Sequence, residues 1–178
     1  MYTTGETTQP NIVNGINVDA LTALRARVRQ DASQGQTRSR TDVSGFAIDG
    51  EEVPRRFSFD IDEPYELGGS NAFANPQEYL IAALNACMTV GYVAQCAMRG
   101  ITLKQLEIET EGEIDLRGFL GIDPNIPPGY KSLRYTVRLK GDGTQEQFAE
   151  IHAAVLATSP NVYNIANAVA LKPTLVVE

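Results

Sequence analysis

The sequence has no tryptophan, a single histidine and only two cysteines in 178 residues. Two cysteines in a chain of this length exclude a disulfide-built scaffold and suit a reducing compartment. With one histidine to join them, they also make a zinc site improbable, and neither a metal nor a cofactor is expected. Positive charge is scarce as well: 15 lysines and arginines stand against 22 acidic residues, for a net charge of −7. That balance argues against a nucleic-acid surface or a patch for anionic membranes, both of which need clustered cations. No secretory signal or lipidation motif stands near Met1, so the expected address is cytoplasmic. No internal repeat is apparent. What remains, 43% hydrophobic and 21% charged residues, is the composition of one soluble domain with a good-sized core.

The most informative segment present is Asn75-Pro76-Gln77-Glu78, followed by a nearly unbroken apolar run from Tyr79 to Met98. Asn75 suits a helix N-cap, Pro76 the first helical position, and Glu78 the position from which a carboxylate reaches back to the cap amide. Gly100 supplies the stop. The helix would be roughly 35 Å long. Asn85, Gly91 and Gln95 interrupt it too often for a membrane span, so it reads as a core helix with no polar face, surrounded by protein. It carries both thiols. Cys87 and Cys96 are nine residues apart, about 180° around the axis and roughly 13.5 Å along it, and cannot bridge to one another without unwinding the helix. A cysteine in such a setting is most often a small buried hydrophobe, and spacing alone does not decide otherwise.

Around this helix the pattern is α+β. Residues 1–16 are polar and read as a flexible tail. Residues 17–35 read as a helical extension, with Leu21, Leu24 and Val28 at helical spacing and Gly35 as its stop. The remainder, 36–178, reads as one domain. It opens with a hairpin: a strand over 36–48, a turn at Asp49-Gly50, and a second strand in which Phe57, Phe59 and Ile61 alternate with polar residues. A loop rich in glycine leads to the central helix. After the helix, Leu106, Ile108, Thr110, Gly112, Ile114 and Leu116 alternate with Glu107, Glu109, Glu111, Glu113, Asp115 and Arg117, which predicts a long strand with one wet acidic face. Leu133, Tyr135, Val137 and Leu139 alternate with Arg134, Thr136, Arg138 and Lys140; antiparallel pairing would set the basic row against the acidic one. A proline-rich loop, 118–129, separates the two strands. Thr144 and Gln147 form a capping box for a helix with Phe148, Ile151 and Val155 inward, ending before Ser159-Pro160. A short helical piece over 163–170 and an edge strand over 171–177 close the chain. His152 sits beside the apolar stripe of its helix; it is placed as a surface histidine rather than as a base for Cys87 or Ser159.

The chain resembles the OsmC/Ohr family from about the first hairpin to the C-terminus. The resemblance is carried by Asn75-Pro76-Gln77-Glu78 through Ala83 to Cys87, by Arg99-Gly100-Ile101 at the helix exit, by Glu111-Gly112-Glu113-Ile114-Asp115 with Gly129-Tyr130, and by Ser159-Pro160, where the family usually has Cys-Pro. It implies an intertwined homodimer, with an antiparallel sheet wrapped around the long central apolar helix and active sites at the subunit interface. It also implies an activity. Characterised members are thiol peroxidases, peroxiredoxin-like in chemistry: a cysteine thiolate attacks an organic hydroperoxide, becomes a sulfenic acid, and is resolved by a second cysteine.

On this chain the resemblance assigns the peroxidatic thiol to Cys87 and the neighbouring arginine to Arg38 or Arg40, which share a strand face. The family glutamate falls on Gln77, with Glu78 beside it, and the resolving position falls on Ser159, which cannot form a disulfide. The implied function is therefore a one-cysteine hydroperoxide reductase for oxidative-stress detoxification, served by an external thiol reductant. The alternative is a non-catalytic dimer that binds a small apolar ligand at its interface. Neither nucleic acid nor a membrane is expected as a partner.

Overall fold

A computed structural model describes residues 12–13, 16–30, 41–44, 47–48, 51–52 and 56–177. In chain order the elements are β1 (Ile12–Val13), β2 (Ile16–Asn17), α1 (Val18–Gln30), β3 (Thr41–Ser44), β4 (Ala47–Ile48), β5 (Glu51–Glu52), β6 (Arg56–Phe59), a 3-10 turn (Tyr65–Leu67), α2 (Pro76–Met98), β7 (Leu103–Gly112), α3 (Leu116–Phe119), β8 (Leu133–Gly141), α4 (Gln145–Thr158) and α5 (Pro160–Ala166). They gather into two compact units. One holds the chain up to Tyr79 with Gly112–Leu133, the other Leu80–Glu111 with the chain from Arg134 onward.

In the first unit the expected hairpin is present. β3 pairs antiparallel with β6 in the register Thr41↔Phe59 and Val43↔Phe57, and Ile48↔Glu51 pairing of β4 with β5 leaves two residues for the turn. Asp49 and Gly50 themselves lie outside the described residues. Within the segment read as a tail, Ile12–Val13 pairs antiparallel with Ile16–Asn17. α1 follows directly and ends at Gln30, with Asp19 in its first turn and Arg27 and Arg29 in its last, as the helix dipole favours. The glycine-rich loop is tied by Asp62, whose carboxylate accepts from the amides of Glu63, Ser70 and Ala72 and from the Ser70 hydroxyl. These donors hold its pKa far below the usual carboxylate range.

The long acidic strand is shorter than its alternation predicts: β7 stops at Gly112, and Asp115 and Leu116 are not in it. Asp115 instead accepts from the Arg117 amide at 3.0 Å and caps α3. Short acidic side chains that bond locally to backbone compete with a ladder, and here the cap wins. Leu116 turns inward and is covered by Leu67, Ile114, Leu120 and Ile122, so the proline-rich loop carries its own small core.

In the second unit α2 lies against the β7–β8 sheet. Its Asn85 amide reaches the Ile108 carbonyl at 3.5 Å, and the Thr110 hydroxyl donates to Asn85 Oδ1 at 2.6 Å. β7 and β8 alternate half-buried and exposed residues as read from the sequence. Arg134 meets Glu111, and Arg138 meets both Glu107 and Glu109. One strand ascends as the other descends, so the pairing is antiparallel and the basic row neutralises the acidic one. Gly100, at a φ of 67°, ends α2 in the left-handed region that glycine tolerates. Thr144 and Gln147 cap α4 reciprocally, and Ile151 and Val155 are fully buried.

Within the single chain α2 buries one stripe, Leu84, Met88, Tyr92 and Cys96 at four-residue spacing, while Val90 is 70% exposed and Val93 51%. By length and composition alone it would also pass for a membrane span. The final short helix is α5, Pro160–Ala166, rather than a piece over 163–170, because Ser159 and Pro160 act as N-cap and first helical residue. Finally, Leu171–Val177 forms no strand. No described segment of the chain offers it a ladder, and Leu171 and Leu175 are each 86% exposed.

Candidate functional site

Cys87 lies in the middle of α2, partly buried, and the packing of α4 decides what stands beside it. Gly91, one turn further on, is what lets α4 come close. A Cβ there would meet the methyl groups of Val155 at 3.2 and 3.3 Å. Tyr92 meets His152 through a hydrogen bond between its hydroxyl and Nδ1. The chain numbers fall on α2 as they rise on α4, so the helices run in opposite directions. Continuing this register, Ser159 arrives opposite Cys87.

The contact is direct. The Ser159 hydroxyl donates to the Cys87 sulfur at 3.3 Å, and Ser159 is only 6% exposed. Its amide bonds the Val155 carbonyl at 2.9 Å, closing α4, and its oxygen accepts from the Val162 amide at 3.3 Å, opening α5. One residue therefore ends one helix, begins the next and touches the thiol. Asn161 adds a further tie, donating from Nδ2 to the Ala83 carbonyl at 2.8 Å. On its other side α2 is held by Asn85 two residues before Cys87.

Cys96 differs in kind. It is buried, with 1% exposure, and burial pushes its thiol pKa up, which the nearby Arg99 only partly offsets. Such a thiol is a packing group.

The structure thus brings together two of the residues singled out from the sequence, Cys87 and Ser159. Gln77 and Glu78 stand in the first turn of α2. The Glu78 carboxylate accepts from the Asn75 amide at 2.9 Å while Asn75 Oδ1 accepts from the Glu78 amide at 2.6 Å, so Glu78 is occupied as half of a capping box. Arg38 and Arg40 lie outside the described residues. His152 is half-buried at the edge of the core, where it is hydrogen-bonded to Tyr92 and stacked on its ring, and it contacts neither Cys87 nor Ser159 in any hydrogen bond among the described residues. Asn161 and Asn85 were missed. The Ser-Pro pair was a readable N-cap signal for α5, whereas nothing in the local pattern marks an asparagine that bonds a carbonyl 78 residues away.

A long apolar helix against an antiparallel sheet, with a partly exposed thiol at its centre, defines an α+β thiol protein. The chain matches the OsmC-like protein family over residues 68–174, more than half its length, and belongs to that family. Among solved structures it is similar to an OsmC-like protein from Mycoplasma pneumoniae, at 14% identity over 75% of this chain and 89% of that one, with a TM-score of 0.51. It is also similar to an organic hydroperoxide resistance protein OsmC from Legionella pneumophila, at 18% identity over 70% and 88% of the two chains, with a TM-score of 0.45. A structure from Vibrio cholerae with captopril bound in one of its active sites matches at 17% identity over 76% and 88%, with a TM-score of 0.43. No protein of curated function matches the chain significantly.

Proposed function

We propose that this OsmC-like protein is a one-cysteine organic hydroperoxide reductase, acting in the cytoplasm as a homodimer and regenerated by an external thiol. The Cys87 sulfur attacks the terminal oxygen of the hydroperoxide, the O–O bond breaks, and the alcohol leaves with a proton. Cys87 is then a sulfenic acid. An external thiol attacks its sulfur, water leaves, and a mixed disulfide forms. A second external thiol attacks the mixed disulfide, returning Cys87 and releasing the oxidised reductant.

The observation that carries this reading is the 3.3 Å contact between the Cys87 sulfur and a hydroxyl rather than a thiol. The family resemblance puts the resolving position at Ser159, whose hydroxyl cannot form a disulfide, and Cys96, buried nine residues along the helix, is out of disulfide reach. The family resemblance supplies the remaining parts, Arg38 or Arg40 beside the thiolate and Gln77 with Glu78 at the helix start. The exposed apolar side of α2 supports the homodimer, since single chains rarely leave such a face to water.

Consumption of cumene hydroperoxide in the presence of dithiothreitol tests the proposal. Activity should vanish in Cys87→Ser and persist in Cys96→Ser; consumption unchanged in Cys87→Ser defeats it. A second reading, a non-catalytic dimer holding a small apolar ligand beside Cys87, draws on the apolar side chains that α2 leaves exposed. A thiol inert to hydroperoxide, together with an apolar molecule co-purifying with the protein, would favour it.

A further inference from the structure

A serine hydroxyl has one proton to give and lone pairs to accept with. As N-cap of α5, Ser159 must accept, and the Val162 amide supplies that bond at 3.3 Å. Among the described residues its proton is thereby directed to the Cys87 sulfur at 3.3 Å. At 6% exposure, water competes poorly for it. Asn161 secures the arrangement from the next turn. Its Nδ2 donates at 2.8 Å to the carbonyl of Ala83, the residue whose carbonyl pairs with the Cys87 amide in the helical ladder. The start of α5 grips α2 at both ends of the turn that carries the sulfur.

We propose that Ser159 is a catalytic hydrogen-bond donor to the Cys87 sulfur, and Asn161 the positioning residue that keeps that donor in place. The inference rests on the one-cysteine reading and deepens it, giving the serine a task rather than only an incapacity. Before reaction the hydroxyl is aimed at the nucleophilic sulfur. In the oxygen-transfer step the thiolate and ROOH give Cys87–SOH and RO⁻, which takes a proton from solvent to become ROH. The Ser159 O–H bond stays intact throughout and turns to the sulfenic oxygen once it is in place. With no thiol at this position, the sulfenic acid persists until an external thiol arrives, and its regeneration is set by the reductant.

Two measurements on the full-length Cys96→Ser protein test this: the rate of Cys87 alkylation by iodoacetamide, which needs no peroxide, and the yield of dimedone-trapped Cys87 sulfenic acid after one equivalent of cumene hydroperoxide. Ser159→Ala should slow alkylation about tenfold, the scale of one hydrogen bond to a charged group, and lower the dimedone yield. Ser159→Thr, which keeps both hydroxyl and cap, should restore both. Asn161→Ala should slow alkylation about threefold with the Ser159 hydroxyl still present, and it carries the test if Ser159→Ala does not fold. Wild-type alkylation rates in Ser159→Ala and Asn161→Ala overturn the assignment, as does a Ser159→Thr protein as slow as Ser159→Ala. A protein whose alkylation responds as expected but which ignores hydroperoxide refutes the reductase reading and leaves the donor assignment standing.

Discussion

The Tyr92 hydroxyl and His152 Nδ1 are hydrogen-bonded across the contact of α2 with α4, and their rings stack with centroids 6.1 Å apart and planes 19° from parallel. Tyr92 is wholly buried, and this desolvation, reinforced by Tyr135, pushes its pKa up to about 12. The folded protein therefore keeps a proton that the unfolded chain releases near the ordinary tyrosine value of 10. The stability linked to this group is fully present below pH 10 and is lost as pH rises towards 12, an effect of at most about 3 kcal/mol. Urea midpoints should fall steeply across that window in the native protein. In Tyr92→Phe the fall should flatten, at a cost of about 1 kcal/mol near neutrality for the lost bond to His152.

The two thiols should respond differently to a modifying reagent. Cys96 lies on the buried stripe of α2 and its pKa is raised by burial, so iodoacetamide in native buffer should label Cys87 alone, as read by peptide mass spectrometry. Denaturant should release the second site. Equal labelling of both in native buffer would show that the Leu84–Cys96 stripe is open to solvent.

Placing a thiol at position 159 should convert the chemistry. Ser159 Oγ lies 3.3 Å from Cys87 Sγ, and closing that separation to a bond of about 2 Å asks for a shift of roughly 1 Å. Ser159→Cys treated with one equivalent of hydroperoxide should lose two free thiols and keep Cys96, while the unmodified chain loses one. If the introduced thiol stays free after oxidation, the backbone at the α4–α5 junction does not permit the bridge.

The exposed apolar side of α2 should be an interface between two copies. Val90 and Val93 are 70% and 51% exposed on a helix whose other face is buried. Val90→Asp with Val93→Asp should shift the sedimenting species from dimer to monomer, since a carboxylate buried without a partner costs several kcal/mol. A chain already monomeric before substitution would remove the homodimer from the proposed function.

The sequence disclosed α2 more fully than any other element, because its signals are local. Asn75 and Glu78 cap it through bonds three residues apart, and Gly100 ends it with its own backbone. The sheet was readable for a related reason. Alternation in β7 and β8 reports which side is wet, and the acidic and basic rows, Glu111 with Arg134 and Glu107 with Arg138, announced their pairing. Local reading faltered where two local rules conflicted. At Asp115 the alternation of a strand and the capping preference of an acidic residue point to different structures, and only the packing of Leu116 against Leu67 and Ile122 favours one.

The sequence by itself determined the bounds of the central helix, since its caps act within a few residues along the chain, and its resemblance to a known family pointed to Cys87 as the candidate thiol. Only the tertiary structure decided what touches that thiol. Cys87 and Ser159 are 72 positions apart, and their contact depends on Gly91 admitting Val155 and so bringing the end of α4 against α2. A contact of that kind is set by how two helices pack, and packing depends on the shapes of surfaces that no local pattern encodes.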